Sequence, residues 1–322
     1  MTLISSSSWA AIVAGFLAFC SSIPVAATIP EPMFDTLNHF ETTIPRANGE
    51  KDPADIYYPV VPDAVSLPLA LFLPGALVDK ADYSNFAQTV ASYGFVVVIP
   101  NRVRTVTISG QQFSGLAAEV AQVNEVLAYL EAEQSRSDSP LAGRVDLSSV
   151  GLLGHSWGGA VGLAAIQNIC PPLLCTGSFK RPDAIKAGLF YGTTFRDQTQ
   201  QEVTILPIAN QGIPVGLIAG SRDGVIQGGM DSVFASYENI QDPPKALVTV
   251  LGANHYGITN EDSPRDSVRP TLAPAVANET IARWSALFLR AHLLEDEAAW
   301  NSIYQNGDAL DANVTVKSET LP

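Results

Sequence analysis

Short apolar runs, bounded by glycine and proline and set too far apart for hairpins, constrain the fold of this chain more than any other feature. Leu67–Leu73 (LPLALFL), Phe95–Pro100 (FVVVIP), Ser149–Leu153, Ala187–Tyr191, Val215–Ala219 and Ala246–Leu251 (ALVTVL) have almost no polar side to turn toward water. A strand that is apolar on both faces must be covered on both, as in a parallel sheet between layers of helices. The intervening stretches supply those helices. Asp82–Tyr93 reads as a helix ending at Gly94, and Gly158–Asn168 as another. Leu116, Val120, Val123, Leu127 and Leu130 recur at alternating steps of four and three, which predicts an amphipathic helix, and Ile281, Trp284 and Phe288 open a closing one. Alternating strands and helices predict an α/β fold with a mostly parallel central sheet, right-handed crossovers and helices on both faces. Ala246–Leu251 is expected to be the last strand. The stretch His39–Val65 is expected to hold early antiparallel edge strands, whose boundaries its four prolines obscure.

Composition narrows the partners. Apolar residues make up 47% of the 322 and charged residues 16%, below the usual ~25%, so a sizeable core can form and disorder is excluded. No repeat, low-complexity tract or linker interrupts Thr28–Pro322, and one domain over residues 28–322 is expected. Eighteen basic against 32 acidic side chains give a net charge of −14, which repels a phosphate backbone or anionic lipid and excludes nucleic acid as a partner. The 3 cysteines and 4 histidines are scattered, with no CxxC and no HExxH, so no metal site is expected. Met1–Pro30 carries no charge, and the apolar run Trp9–Cys20 is too short to span a bilayer. With the small residues Val25, Ala26 and Ala27 behind it, residues 1–27 read as a signal peptide, which makes the mature chain secreted or periplasmic without a membrane span. In that oxidising compartment Cys170 and Cys175 are expected to form a disulfide.

The segment Gly154-His155-Ser156-Trp157-Gly158-Gly159 follows an expected strand and opens an expected helix. A serine on such a sharp turn is held above the sheet at a helix N-terminus, and glycines two positions either side let neighbouring backbones approach. A phosphate-binding loop is excluded, because no lysine precedes a serine or threonine here. A serine nucleophile needs a base oriented by a carboxylate. Only His255 and His292 follow Ser156 in the chain. His255, in the loop after Ala246–Leu251, is the candidate at the sheet edge where α/β sites form, whereas His292 falls near the end of the closing helix. Asp223, just beyond Val215–Ala219, is the candidate acid, with Asp231, one turn into the following helix pattern, the alternative. Two backbone N–H groups must face the developing oxyanion. Trp157 offers one, and Ala76 or Leu77, in the loop after Leu67–Leu73, the other. His155 is expected to pack against or orient the turn.

With these residues placed, the chain resembles the α/β-hydrolases from about Leu69 to Ile258. Leu73–Val98 (LPGALVDKADYSNFAQTVASYGFVVV) is similar to the corresponding stretch of chlorophyllases and of cutinase-like polyester hydrolases, in the dienelactone-hydrolase-like branch. GHSWGG, AGSRDG and GANHYG resemble that group's nucleophile, acid and histidine segments. The resemblance implies a monomeric serine esterase without a cofactor, acting on small, lipid-like or polymeric carboxylic esters through an acyl-enzyme. Two departures stand out. Chlorophyllases place their acid soon after the nucleophile, where this chain reads Leu189-Phe190-Tyr191-Gly192, and the aromatic residue beside the oxyanion glycine of polyester hydrolases is here Ala76. Leu77, Phe190, Tyr191 and Phe195 are therefore the candidates for contacting substrate, with core and rim packing the expected role of at least two of the three aromatics. The competing reading is a non-catalytic binding protein on the same fold, against which stand an intact serine, aspartate and histidine in order.

Overall fold

The computed structural model describes residues 28–62, 65–108, 111–197 and 202–321; the expected signal peptide, residues 1–27, lies outside them. Eleven strands follow in chain order: β1 (Leu37–Pro45), β2 (Lys51–Pro59), β3 (Leu67–Leu73), β4 (Val96–Pro100), β5 (Val103–Ile108), β6 (Gln111–Leu116), β7 (Val145–His155), β8 (Ile185–Tyr191), β9 (Val215–Gly220), β10 (Lys245–Val250) and β11 (Val314–Glu319). The main helices are α1 (Ser84–Ser92), α2 (Gln122–Gln134), α3 (Trp157–Ile166), α4 (Gly229–Glu238) and α5 (Pro274–Leu293). Nine strands form one sheet in the order β1-β2-β4-β3-β7-β8-β9-β10-β11. Pairing is parallel from β4 through β10 and antiparallel at both edges. This is the α/β-hydrolase arrangement, with the site-bearing loops at the carboxyl ends of the parallel strands.

The apolar runs divide their side chains between two cores, as strand alternation requires. In β3, Leu69, Leu71 and Leu73 join the core shared with α2, α3 and α4, while Ala70 and Phe72 join the one shared with α1 and α5. Trp284 and Phe288 of α5 are fully buried, each contributing about 1.5–3 kcal/mol over exposure. Helix α3 is buried on nearly every side, so the turn that begins it cannot drift.

Three expectations need correction. Ala246–Leu251 is not the last strand, because β11 pairs antiparallel with β10, Val314 opposite Val250. The spacing that starts at Leu116 does not mark a helix start. Leu116 ends β6 and Val120 lies in a loop, bonded through its N–H to the Leu174 carbonyl, so the helix begins only at Gln122. Val120 is nonetheless buried, and a loop residue pointing into the core mimics helical periodicity. The β5–β6 hairpin was not foreseen at all. It follows Arg102, a buried guanidinium that donates to Asp52, Glu119 and Glu125 and so ties the hairpin base to β2 and α2. Cys170 and Cys175 are disulfide-bonded between α3 and β8, with Cα atoms 5.0 Å apart.

Candidate active site

Strand β7 ends at His155 and α3 begins at Trp157, so Ser156 occupies the turn between them with φ 53 and ψ −117. That is a conformation a side chain rarely adopts, and it is held by its surroundings. A Cβ on Gly158 would sit 2.0 Å from the Leu73 carbonyl oxygen, and one on Gly154 would sit 2.7 Å from the Gly158 carbonyl oxygen. The flanking glycines thus allow β3, β7 and α3 to meet beneath the serine.

The histidine loop follows β10. The Nδ1 atom of His255 lies 2.7 Å from Asp223 Oδ2, and both side chains are nearly buried, at 3% and 2% exposure. A carboxylate can only accept, so Nδ1 carries the proton and Nε2 of the neutral ring is left as an acceptor. The second oxygen of Asp223 accepts from the Val225 and Ile226 amides at 2.9 and 3.0 Å, which fixes the carboxylate from its other side. Gly192, at φ 59, passes so close that a Cβ would lie 3.1 Å from His255 Nδ1. Ser156 and His255 open onto one cavity of about 240 Å³, together with Ala76 and Trp157.

Amides in the loop after β3 sort themselves by partner. Gly75 donates to the Tyr83 hydroxyl at 2.9 Å, Leu77 to the Leu116 carbonyl at 2.8 Å and Val78 to the Gly75 carbonyl at 3.2 Å. Leu77 is thereby removed as the alternative oxyanion donor, and Ala76 remains. Its carbonyl is held by Arg265 Nη1 at 3.0 Å. Trp157, first residue of α3, has an amide with no acceptor inside its own helix, and its indole is anchored on the Ala118 carbonyl at 2.9 Å.

Two buried supports join these loops. Tyr83 Oη lies 2.9 Å from His155 Nδ1, and His155 Nε2 lies 3.0 Å from the His255 carbonyl. The carbonyl can only accept, so His155 Nε2 bears the proton; Nδ1 then accepts from Tyr83, whose lone pair receives Gly75 N–H. Burial, helped by the neighbouring His255, pushes the His155 pKa well down and keeps the ring neutral. His155 therefore does orient the turn, by tying it to both the oxyanion loop and the histidine loop. The second support is Asp266, fully buried. It accepts from the amides of His255 at 3.0 Å, Gly224 at 3.2 Å and Val268 at 2.8 Å, bracing the acid turn against the histidine loop. Sequence reasoning missed it, along with Tyr83 and Gly192.

None of the four residues proposed to contact substrate lines the serine cavity. Phe190 is fully buried, its ring filling the space that Gly162 and Gly188 leave empty. Tyr191 is buried too, its hydroxyl donating to the Asn254 carbonyl. Both pack the interior and are withdrawn as substrate contacts. Leu77, 62% exposed, lines a cavity of about 380 Å³ across Trp157, beneath the β5–β6 hairpin. Phe195 lines another of about 230 Å³ on the opposite side. His292 is remote from Ser156 in the fold, near the end of α5, and bonds Tyr304 Oη at 2.8 Å. Asp231 lies in α4.

Residues 40–171 match the chlorophyllase family model. A chlorophyllase type 0 from Chenopodium album is 36% identical over 95 residues, 29% of this chain and 26% of that protein. Over that segment the chain resembles chlorophyllases, and it spans about a quarter of the length of the curated relative it matches. The matched segment carries Ser156 and the oxyanion loop but ends before Asp223 and His255. Among the described residues no helix is long and apolar enough to cross a membrane.

Proposed function

We propose that this protein is a serine esterase that cleaves apolar carboxylic esters through a covalent acyl-enzyme. The observation that carries the reading is the strained Ser156 sharing a cavity with His255, whose ring is oriented by Asp223 at 2.7 Å. In this reading His255 Nε2 takes the Ser156 proton as Oγ attacks the ester carbonyl, and the Ala76 and Trp157 amides hold the oxyanion. The alkoxide leaves with the proton returned by His255. Water then repeats the sequence on the acyl-serine, with His255 again base and then acid. Asp223 holds the proton-bearing Nδ1 and stabilises the imidazolium that forms twice in the cycle.

A chlorophyll-type ester is the second reading for the substrate, favoured by the family match over residues 40–171. The Cys170–Cys175 bridge, a link that persists in an oxidising compartment, supports the further proposal of an exported chain; cleavage after Ala27 and a single-domain monomer complete that proposal. Wild type and Ser156→Ala should be assayed side by side on 4-nitrophenyl butyrate and on chlorophyll. Wild type is expected to cleave the aryl ester and the variant to lose ~10³-fold or more in kcat while melting at nearly the same temperature. An unimpaired variant would defeat the reading, and cleavage of chlorophyll at a comparable rate would promote the second substrate class.

A further inference from the structure

The serine cavity does not end at Ser156. Across Ala160 and Thr194 it adjoins the apolar cavity of about 230 Å³, whose walls include Ile169, Pro171, Leu174, Phe195 and Leu206. Arg196 lines both. Its backbone is fixed, because Arg196 pairs with Ile205 in an antiparallel bridge, flanked by bonds from Leu206 N to Phe195 O at 2.8 Å and Asp197 N to Thr204 O at 2.9 Å. The residue is only partly exposed.

Every other arginine of the chain donates to a carboxylate or a carbonyl. Arg196 alone, among the described residues, has a guanidinium with no such partner. Asp197, next in the chain, has its own partner, and the carboxylates of the serine site are committed too, Asp223 to His255 and Asp266 to backbone amides. The guanidinium of this partly exposed residue keeps its donors free for an anion, and its planar fork matches a carboxylate. In a chain of net charge −14 the long-range field disfavours anionic substrates, so a lone cation at this junction changes which esters can bind.

We propose that Arg196 is a specificity residue that selects esters bearing a free carboxylate on an apolar arm, the half-esters of aliphatic dicarboxylic acids. The apolar spacer lies along the side cavity and the carboxylate meets the guanidinium at its junction with the serine cavity. The proposal rests on the esterase reading above, and the two fail separately. Hydrolysis of neutral esters that depends on Ser156 decides that reading; the ratio of anionic to neutral substrate decides this one.

The test uses the 4-nitrophenyl half-esters of adipic and suberic acid, long enough that self-cleavage through a cyclic anhydride is slow, against their 4-nitrophenyl methyl diesters. Wild type should prefer the half-ester of at least one acid, chiefly through KM. Arg196→Gln should lower the ratio of kcat/KM values by about tenfold, the scale of a charge-assisted hydrogen bond open to some water, and Arg196→Lys should restore part of it. In wild type alone the ratio should fall as salt rises from about 0.02 to about 0.5 M. A wild-type preference for the neutral diesters, a ratio unchanged in Arg196→Gln, or a ratio indifferent to salt would each overturn the assignment.

Discussion

At the scale of single residues, the geometry of His255 depends on two buried carboxylates. Asp223 sets its tautomer from one side, and Asp266 holds its backbone amide from below while also holding Gly224, next to the acid. In Asp266→Asn one oxygen becomes an NH₂ group, which cannot accept from Val268 or from the pair His255 and Gly224. The variant should lose about 1–3 kcal/mol in urea unfolding, the cost of a buried amide without an acceptor. Its kcat/KM should fall about tenfold or more as the acid and histidine loops separate; unchanged stability and kinetics would refute the bracing role. Ser156, Asp223 and His255 were legible in the sequence because each sits in a short glycine-bearing segment just beyond an apolar run. Asp266 was not. It stands in a polar loop among Ser263, Arg265 and Ser267 with nothing local to separate it from a solvated aspartate, and only the fold brings the three amides to it. Phe190 and Tyr191 were ambiguous instead: an aromatic beside the sheet edge reads as substrate contact or as packing, and only the glycines opposite show that both rings fill the interior.

Among the elements, the buried strands announced themselves and the polar ones did not. β3, β4 and β7 through β10 are apolar enough to be read directly, whereas β11 (VTVKSE) alternates over an exposed edge and β5–β6 (VRTVTI and QQFSGL) mixes polar with apolar residues. The hairpin's position comes from long-range charge pairing instead. Arg102 is 3% exposed and its partners Asp52 and Glu119 are 1% and 9% exposed, so removing the guanidinium strands carboxylates in a poorly hydrated place. Arg102→Met should cost about 3–5 kcal/mol, as breaking one side of a buried ion network does. It should also loosen the wall of the cavity under the hairpin, measurable as faster proteolysis within residues 103–116. Unfolding at the wild-type denaturant midpoint would show that the hairpin is held by something else.

For the whole molecule, the two cores on either face of the sheet bury histidines whose titration ties stability to pH. Burial lowers the pKa of His292 from 6.5 to about 4 and that of His155 well below its ordinary value. Both are neutral in the folded chain, while the unfolded chain takes up their protons near 6.5. Stability is therefore full above that value and declines as pH falls, for His292 until about 4, by up to about 1.4 kcal/mol per pH unit for each histidine. Urea midpoints taken from pH 7.5 down to 5 should fall, and His292→Leu should flatten the decline by one histidine's share; a midpoint that rises on acidification would contradict this. The same sheet brings the loops after β3, β7, β9 and β10 to one edge, and the central claim is that they assemble around a nucleophilic serine. Labelling with a fluorophosphonate, followed by peptide mapping, tests it most directly. The account predicts one adduct, on Ser156, with loss of esterase activity in proportion to labelling; an adduct on another residue, or full esterase activity with Ser156 unmodified, would contradict it.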